Sequence, residues 1–345
     1  MKRDVITVLT LVIIAIVVIG EVIVYTSGTD DFNISVEQDG NELGYSISVK
    51  GSQVYSVVVM DNDNMLPMSE VYIYYDKNYA TYYKHDTGAV GSSTFTHEYY
   101  IDQLIRLIEN RSGMTVRIIS ATELEAAMDD DIGTAFQKGL VVISGALPDT
   151  VYTGNSTDKI FDWMDDGGRL YWAGNLVGAF YATTTSIESV PDGYQSLFFG
   201  SDCLNTTDAS FVDKDDDSNT LRYDLSLKNN DVRFSVDVSA LPVGKKHLTM
   251  GFTNGTYSSI AMMEYGKGMI CVLGGDLKKT QCDDMAKMIS SNVVHSTKVI
   301  DAVTGDIRFG KATGTVDVTG FTGNISVYVY LGGYFQVYGR HFSFA

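Results

Sequence analysis

Three hydrophobic patterns follow one another along the chain. The first is an unbroken apolar run, VITVLTLVIIAIVVIG from Val5 to Gly20, which resumes after Glu21 as VIVY. As a helix, residues 5–25 span about 31 Å, enough to cross a bilayer. The second pattern, in residues 26–66, is strand-like. NISVEQ and LGYSISV flank Asp39-Gly40 as a candidate hairpin, and QVYSVVVM follows. The third alternates short apolar runs with helical spacing. VYIYY (Val71–Tyr75), VRIIS (Val116–Ser120), LVVIS (Leu140–Ser144), RLYWA (Arg169–Ala173) and MICVL (Met269–Leu273) read as strands buried on both faces.

Helices are predicted between these runs. Thr96–Glu109 places Tyr100, Leu104, Leu107 and Ile108 at helical spacing. Ser120-Ala121-Thr122-Glu123 is a capping box that opens a short helix over Glu123–Asp129. Asp158–Met164 puts Ile160, Phe161 and Met164 on one face and stops at Gly167-Gly168, and a last helix covers about Lys278–Ser290. Such alternation predicts an α/β fold with a flavodoxin-like or Rossmann-like three-layer core at 67–204 and 264–297. A mixed α+β sheet is the competing architecture. An acidic loop and β insertion at 205–263 interrupts the core and is a candidate to pair with the Asp31–Val59 strands. Residues 298–345 read as antiparallel β, with a turn at Gly332-Gly333 and an aromatic stripe over Tyr328–Tyr338 that serves either a small core or intermolecular packing.

The N-terminal run sets the expected location. A cleaved secretory signal has an apolar core of about 7–15 residues ending in a small-x-small site. This run is longer and no such site follows it, so a retained anchor is expected. Lys2 and Arg3 precede it and no nearby basic cluster follows, which places residues 1–4 in the cytoplasm and the remainder outside the cell membrane. N-x-S/T sequons at Asn33, Asn110, Asn155, Asn205, Asn254 and Asn324 are candidate glycosylation sites on such an ectodomain, and each requires a surface position.

Charge changes the picture in one respect. The 345 residues carry 25 lysines and arginines against 43 aspartates and glutamates, a formal net charge of −18. Phosphate-backbone binding needs basic patches, so nucleic acid is excluded as a partner class. Lys2 and Arg3 offset Asp4 and Glu21, which leaves the whole excess on the exterior part. The three cysteines, Cys203, Cys271 and Cys282, form neither a disulfide framework nor a zinc motif. Cys271 reads as a buried small hydrophobe, and Cys203–Cys282 is a candidate bridge.

The central region resembles the class I glutamine amidotransferase-like superfamily, in particular its non-catalytic or ThuA-like relatives, over about residues 71–293. The matching segments are VYIYYD (Val71–Asp76), the loop after Ile143-Ser144-Gly145, IFDWMDDGGRLYWAGN (Ile160–Asn175) and YGKGMICVLGGD (Tyr265–Asp276). The resemblance implies a sharp turn after Arg169–Ala173 that carries a cysteine nucleophile in catalytic members, with a later histidine. This chain has Gly174-Asn175-Leu176-Val177-Gly178 there, and His247 and His295 are the histidines nearest in sequence to Gly274-Gly275. An amide cannot be activated as a nucleophile. Amidotransferase or protease chemistry is therefore not expected.

The remaining candidates are sparse. Lys84, His85, Asp86 and His97, around the glycine-rich loop Asp86–Ser93, are the best pocket candidates with Asn175, because α/β folds bind ligands at the carboxyl ends of parallel strands. GAVGSS lacks the spacing of a nucleotide loop, and no cofactor is expected. Asp213, Asp215 and Asp217 offer oxygens at alternate positions of a loop that lacks the glycine and glutamate of an EF-hand, so they are weak metal candidates. Asp129-Asp130-Asp131 and Asp165-Asp166 read as surface groups. The sequence thus predicts a single-pass cell-surface protein whose degenerate α/β domain binds a glycan or another surface protein or acts in envelope assembly. An extracytoplasmic hydrolase or sugar-processing enzyme with a pocket near His85 and His97 is the alternative.

Overall fold

The computed structural model describes residues 32–62, 65–82, 97–174, 176–205, 221, 225–228, 235–251, 253–274, 277, 279–308, 310–332 and 335–344. The expected membrane span at 5–25, Lys84, His85, Asp86, Asn175 and the Asp213, Asp215 and Asp217 loop lie outside the described residues. Among the described residues no helix is long and apolar enough to cross a membrane.

The described residues begin with three strands, β1 (Phe32–Asp39), β2 (Glu42–Val49) and β3 (Ser52–Asp61). Asp39 pairs with Glu42 across a two-residue turn, and Gly40 takes φ +59 at its first central position, which only glycine adopts without strain. An α/β unit follows. It contains β4 (Glu70–Tyr74), α1 (His97–Ser112), β5 (Thr115–Ile119), α2 (Ala121–Asp130), β6 (Lys138–Val142), α3 (Lys159–Asp165), β7 (Arg169–Ala173) and α4 (Tyr194–Phe199). It closes with β8 (His247–Thr249), β9 (Ile260–Tyr265), β10 (Gly268–Leu273) and α5 (Lys279–Ser290). Four long strands end the chain: β11 (Lys298–Arg308), β12 (Lys311–Asp317), β13 (Gly323–Leu331) and β14 (Phe335–Phe344).

The α/β unit is built on a seven-stranded mixed sheet in the order β8-β9-β10-β7-β6-β4-β5. From β10 to β5 every neighbour is parallel, and β8 and β9 extend the edge antiparallel. Strand alternation sorts the side chains between two cores. Val71, Ile73, Val141, Tyr171, Met269 and Cys271 face α1 and α5. Tyr72, Tyr74, Leu140, Val142, Leu170, Trp172, Ile270 and Val272 face α2, α3 and α4. Burial on both faces explains why these runs read as continuous apolar segments in sequence. The capping box forms as expected: Glu123 N donates to Ser120 Oγ at 3.4 Å and Ser120 N to Glu123 Oε2 at 2.9 Å.

Residues 32–61 and 298–344, expected as separate β regions, form one sandwich. The sheet β1-β2-β12 packs on the sheet β11-β3-β13-β14 around Ile47, Val57, Val59, Ile325, Val327 and Val329. The α/β unit is therefore an insertion between β3 and β11. The expected pairing of 205–263 with the N-terminal strands does not occur among the described residues. The strands 204–205, 235–237, 257–258 and 253–254 pair with one another, and β8 and β9 join the central sheet. Two of the three N-terminal strands have both edges taken, β2 by β1 and β12 and β3 by β11 and β13.

β3 and β13 serve two cores at once. Their odd-numbered positions fill the sandwich, while Val58, Met60, Tyr328 and Tyr330 turn to the α1–α5 layer. Tyr328 and Tyr330 are thus interior and Tyr338 is half-buried against the sandwich core, so these members of the aromatic stripe pack within the chain. Each fully buried side chain of this size contributes about 2 kcal/mol to holding sandwich and insertion together.

A polar node completes that junction. Arg169, 1% exposed, donates from Nη1 to Asn292 Oδ1 at 3.0 Å and from Nη2 to the Leu66 carbonyl. Met68 N donates to the same Asn292 oxygen at 2.9 Å. With Oδ1 so committed, Asn292 Nδ2 donates to His341 Nε2 at 2.9 Å. His341 must then be neutral and carry its proton on Nδ1, which donates to Ser326 Oγ at 2.9 Å. Burial, helped by the Arg169 cation, pulls the His341 pKa from 6.5 to about 4. Asn292 takes φ +49 at the end of α5, a left-handed position that asparagine tolerates better than most residues.

Two outcomes follow from this node. His341 is held neutral in the fold and titrates near 6.5 when unfolded, so its contribution is fully present above pH 6.5 and is lost as pH falls from there through 4. Denaturant unfolding of wild type and His341→Gln at each pH should show that difference, up to about 3 kcal/mol. Asn292→Ala leaves the Arg169 cation short of an acceptor and should cost about 3 kcal/mol or more. Asn292→Gly relieves the positive φ and should recover about 1 kcal/mol of that loss in the same measurement.

Candidate functional site

The carboxyl ends of β4, β6, β7 and β10 converge on one edge of the sheet, where parallel α/β sheets bind ligands. By position in the sequence, the five parallel strands run second, first, third, fourth, fifth across the sheet. The connections diverge between β4 and β6, which makes a crevice there. Of the pocket candidates, His97 is described. It begins α1 at 1% exposure, with its ring centroid 6.5 Å from that of Tyr75 just beyond β4. Tyr75 donates to Glu98 Oε1 at 2.7 Å.

Between β4 and β6 the edge is acidic and tyrosine-rich. Asp76 accepts from Asn78 N at 2.8 Å and, with its other oxygen, from Ala121 N at 3.1 Å. It therefore ties the end of β4 to the start of α2. Tyr79 donates to Asp149, and burial together with Asp149, Asp76 and Glu125 raises its pKa. Burial and the same pair of aspartates push Tyr74 further up. Both phenols stay protonated at neutral pH, and Tyr79 acts as a hydrogen-bond donor. Among the described residues, no group of three or more histidine, cysteine, aspartate or glutamate side chains could hold a metal ion.

The turn after β7 is occupied by packing. Gly174 and Gly178 take φ +99 and +74, as a tight strand exit requires. Tyr152 donates to the Gly178 carbonyl at 2.7 Å, and a Cβ on Gly178 would meet Phe198 at 2.4 Å. Tyr152, Phe161 and Phe198 form a mutual aromatic cluster beneath it, with centroids 5.0–6.0 Å apart. At β10, Gln281 Nε2 donates to the carbonyls of Leu273 and Gly274 at 3.3 and 3.0 Å, which closes that strand end under α5.

The nucleophiles and histidines do not assemble into a reactive pair among the described residues. Cys203, Cys271 and Cys282 are free and buried. Burial raises all three thiols, Cys203 and Cys282 to about 12. The expected Cys203–Cys282 bridge is not formed, because Cys203 lies in the core on the α2–α3 side of the sheet and Cys282 in the core on the α1–α5 side. His247, on the exposed edge strand β8, pairs with Met263, which is level with Ile270 and so with Leu170 near the amino end of β7. His341 is held in the sandwich junction.

Several surface expectations sort by exposure. Asn33, Asn110 and Asn155 are exposed and Asn205 is half-buried; Asn254 lies in a short strand, its side chain outside the description. Asn324 is only 7% exposed and its Oδ1 accepts from Ser343 Oγ at 2.7 Å, so in the folded chain it is not a glycan acceptor. Asp131, read from sequence as a surface group, is buried, accepting from Tyr72 and Trp163 at 3.3 Å with Lys138 at 3.9 Å. Lys138 also pairs with Glu70, which Arg117 reaches at 3.3 Å. This network sits at the amino ends of the strands and braces the sheet against α2 and α3. Sequence reading missed it because a DDD run on its own looks like a solvated helix end.

No family model and no curated protein matches the chain. Among solved structures it is similar to Gan42B, a GH42 β-galactosidase from G. stearothermophilus, at 12% identity with a TM-score of 0.37, over 76% of this chain and 36% of that one. It is similar to the exo-β-1,4-mannosidase Op5Man5 from Opitutaceae bacterium strain TAV5 at 10% identity and TM-score 0.34, over 64% of this chain and 34% of that one. It is also similar to the cytoplasmic protein STM1381 from Salmonella typhimurium LT2 at 15% identity and TM-score 0.35, covering 65% and 97%. The chain spans about a third of the length of the two glycosidases, and likeness at these scores carries no argument about activity.

Proposed function

We propose that the chain is a single-pass cell-surface protein, anchored in the cell membrane through residues 5–25, whose α/β unit binds a glycan or another surface protein, or serves envelope assembly, without catalysis. The observation that carries this reading is the condition of the nucleophiles. Each cysteine is sunk in a hydrophobic core with its thiol raised, and the turn after β7, where the amidotransferase-like resemblance puts a cysteine, has Asn175 in the sequence. A thiol that is buried and raised is a poor nucleophile. The parallel-strand order fits a flavodoxin-like core, consistent with a degenerate relative of that superfamily. The acidic exterior and the exposed sequons at Asn33, Asn110 and Asn155 fit an extracellular, glycosylated setting.

Four measurements test the reading. Alkaline carbonate should leave the full chain with the membrane, and protease added to intact cells should digest it beyond residue 27; release by carbonate would remove the anchor. Iodoacetamide should label no cysteine in the native chain and all three in urea. The native protein should also turn over neither p-nitrophenyl esters nor glycosides. A fast-labelling native thiol, or turnover abolished by His97→Ala, would return the hydrolase alternative.

A further inference from the structure

Strand register gives the sandwich two unlike ends. The chain enters at Phe32, beside Val49. The tight links from β2 to β3 and from β11 to β12 lie at this same end, tied together where Val49 N donates to the Gly310 carbonyl at 2.9 Å. The chain leaves for the α/β unit at Asp61 and returns at Lys298, which pair with each other at the opposite end. β3 alone separates the two ends by about 33 Å. Both crossings meet the amino edge of the central sheet, where Arg169 at the start of β7 and Met68 before β4 join Asn292. The carboxyl edge therefore faces away from the end at which the chain enters.

The two ends differ in charge. At the entry end, residues 48–53 and 307–313 contain Lys50, Arg308 and Lys311 and no carboxylate, and all three cations are exposed. Lys50 lies in the β2–β3 link, while Arg308 and Lys311 flank the β11–β12 link, opposite Ser52 and Ser48. Asp306, set back on β11, and Asp30 and Asp31, ahead of Phe32, bring the formal charge of this end to zero, against −18 for the chain. At the far end of the sheet β1-β2-β12, Asp39, Glu42 and Asp317 stand in one cross-strand row, all exposed. Like charges directly opposite one another are unfavourable, so sheet stability does not account for this row.

We propose that Lys50, Arg308 and Lys311 seat the entry end of the sandwich on anionic lipid headgroups and so hold the carboxyl edge of the central sheet away from the membrane. The inference rests on the anchor at residues 5–25. Residues 26–31 are all that separates Tyr25 from Phe32, a reach of at most about 25 Å. An anionic surface favours each nearby lysine or arginine about fivefold and is felt over roughly 8–10 Å. It repels the chain as a whole but not this end, where headgroups can meet the cations at the link tips, and it pushes the row at Asp39, Glu42 and Asp317 outward. That row on a neighbouring copy would also suit the cations in charge. Copies anchored alike, however, hold their acidic rows about a strand length further from the membrane, which favours the lipid.

The full chain is placed in nanodiscs of phosphatidylcholine, with and without phosphatidylglycerol, and acetic anhydride labelling of each lysine is followed by mass spectrometry. An anionic surface both covers an amine and keeps it protonated, so Lys50 and Lys311 should label about fivefold more slowly in the phosphatidylglycerol discs. High salt should remove the difference. Lys77, beyond β4 on the carboxyl edge with its side chain 72% exposed, should label alike in both. Arg308→Glu should restore most of the Lys50 and Lys311 rate without changing thermal unfolding, because Arg308 is exposed. Equal rates at Lys50 and Lys311 in the two lipids, slowing shared by Lys77, or slowing untouched by Arg308→Glu would each overturn the proposal. So would slowing that appears in neutral discs once a second copy is loaded. A chain that does not stay in the discs would overturn the anchor. Mixed with phosphatidylglycerol vesicles, that chain would still decide the lipid seat, which stands if Lys50 and Lys311 are slowed relative to Lys77 and falls if they are not.

Discussion

A buried arginine with no carboxylate partner among the described residues organises this molecule. The Arg169 guanidinium lies at the meeting point of the central sheet, the end of α5 and the sandwich, where burial draws its pKa down and Tyr171 partly offsets that. Such a cation survives only if neutral oxygens are brought to it with good geometry. The Leu66 carbonyl and Asn292 Oδ1 do this, and each belongs to one of the two crossings between sandwich and insertion. Satisfying one charge therefore fixes both covalent connections. The same asparagine orients His341, so the last strand of the chain is locked to the amino edge of a sheet that begins some distance before it in sequence.

Apolar packing and this polar node divide the work. Val58, Met60, Tyr328 and Tyr330 supply burial without direction, because hydrophobic contact is tolerant of sliding. The chain of bonds from Met68 and Arg169 through Asn292 to His341, Ser326 and Asn62 supplies direction, because each donor needs a particular acceptor. Together they make an inserted domain behave as a continuation of its host. The unfavourable φ at Asn292 is the local cost of placing one amide where three elements need it.

What could be read from the chain alone was what is local. The Ser120–Glu123 capping box, the helix carrying Tyr100, Leu104 and Ile108, and the turn at Gly40 depend on residues a few positions apart, and each forms as expected. The insertion topology was less accessible: alternation in Val54–Met60 and Ile325–Leu331 identifies strands, but nothing local says that they pair with one another. The fate of Cys203 and Cys282 depends on which face of one sheet each reaches, a matter of strand parity and helix placement. Asp131 looked solvated because its partners Tyr72, Trp163 and Lys138 come from two strands and a helix. At the site, following β4 leads to His97 at the start of α1, but its enclosure beside Tyr75 is a tertiary effect.

The turn after β7 shows why a fold of this type can keep its architecture when no nucleophile stands at that position. A strand exit sharp enough to present a reactive group needs glycines at positive φ, and Gly174 and Gly178 supply them. Here that same geometry is fixed from below. Tyr152 bonds the Gly178 carbonyl, Phe198 fills the space a side chain would need, and Phe161 closes the cluster. The turn is thus required by the core whether or not chemistry happens above it. Chemistry and fold are separable at this point: packing selects the glycines whatever residue stands between them. A glycine-marked turn on the carboxyl edge is accordingly a statement about packing, and whatever the edge recognises must be sought in the groups that packing leaves exposed.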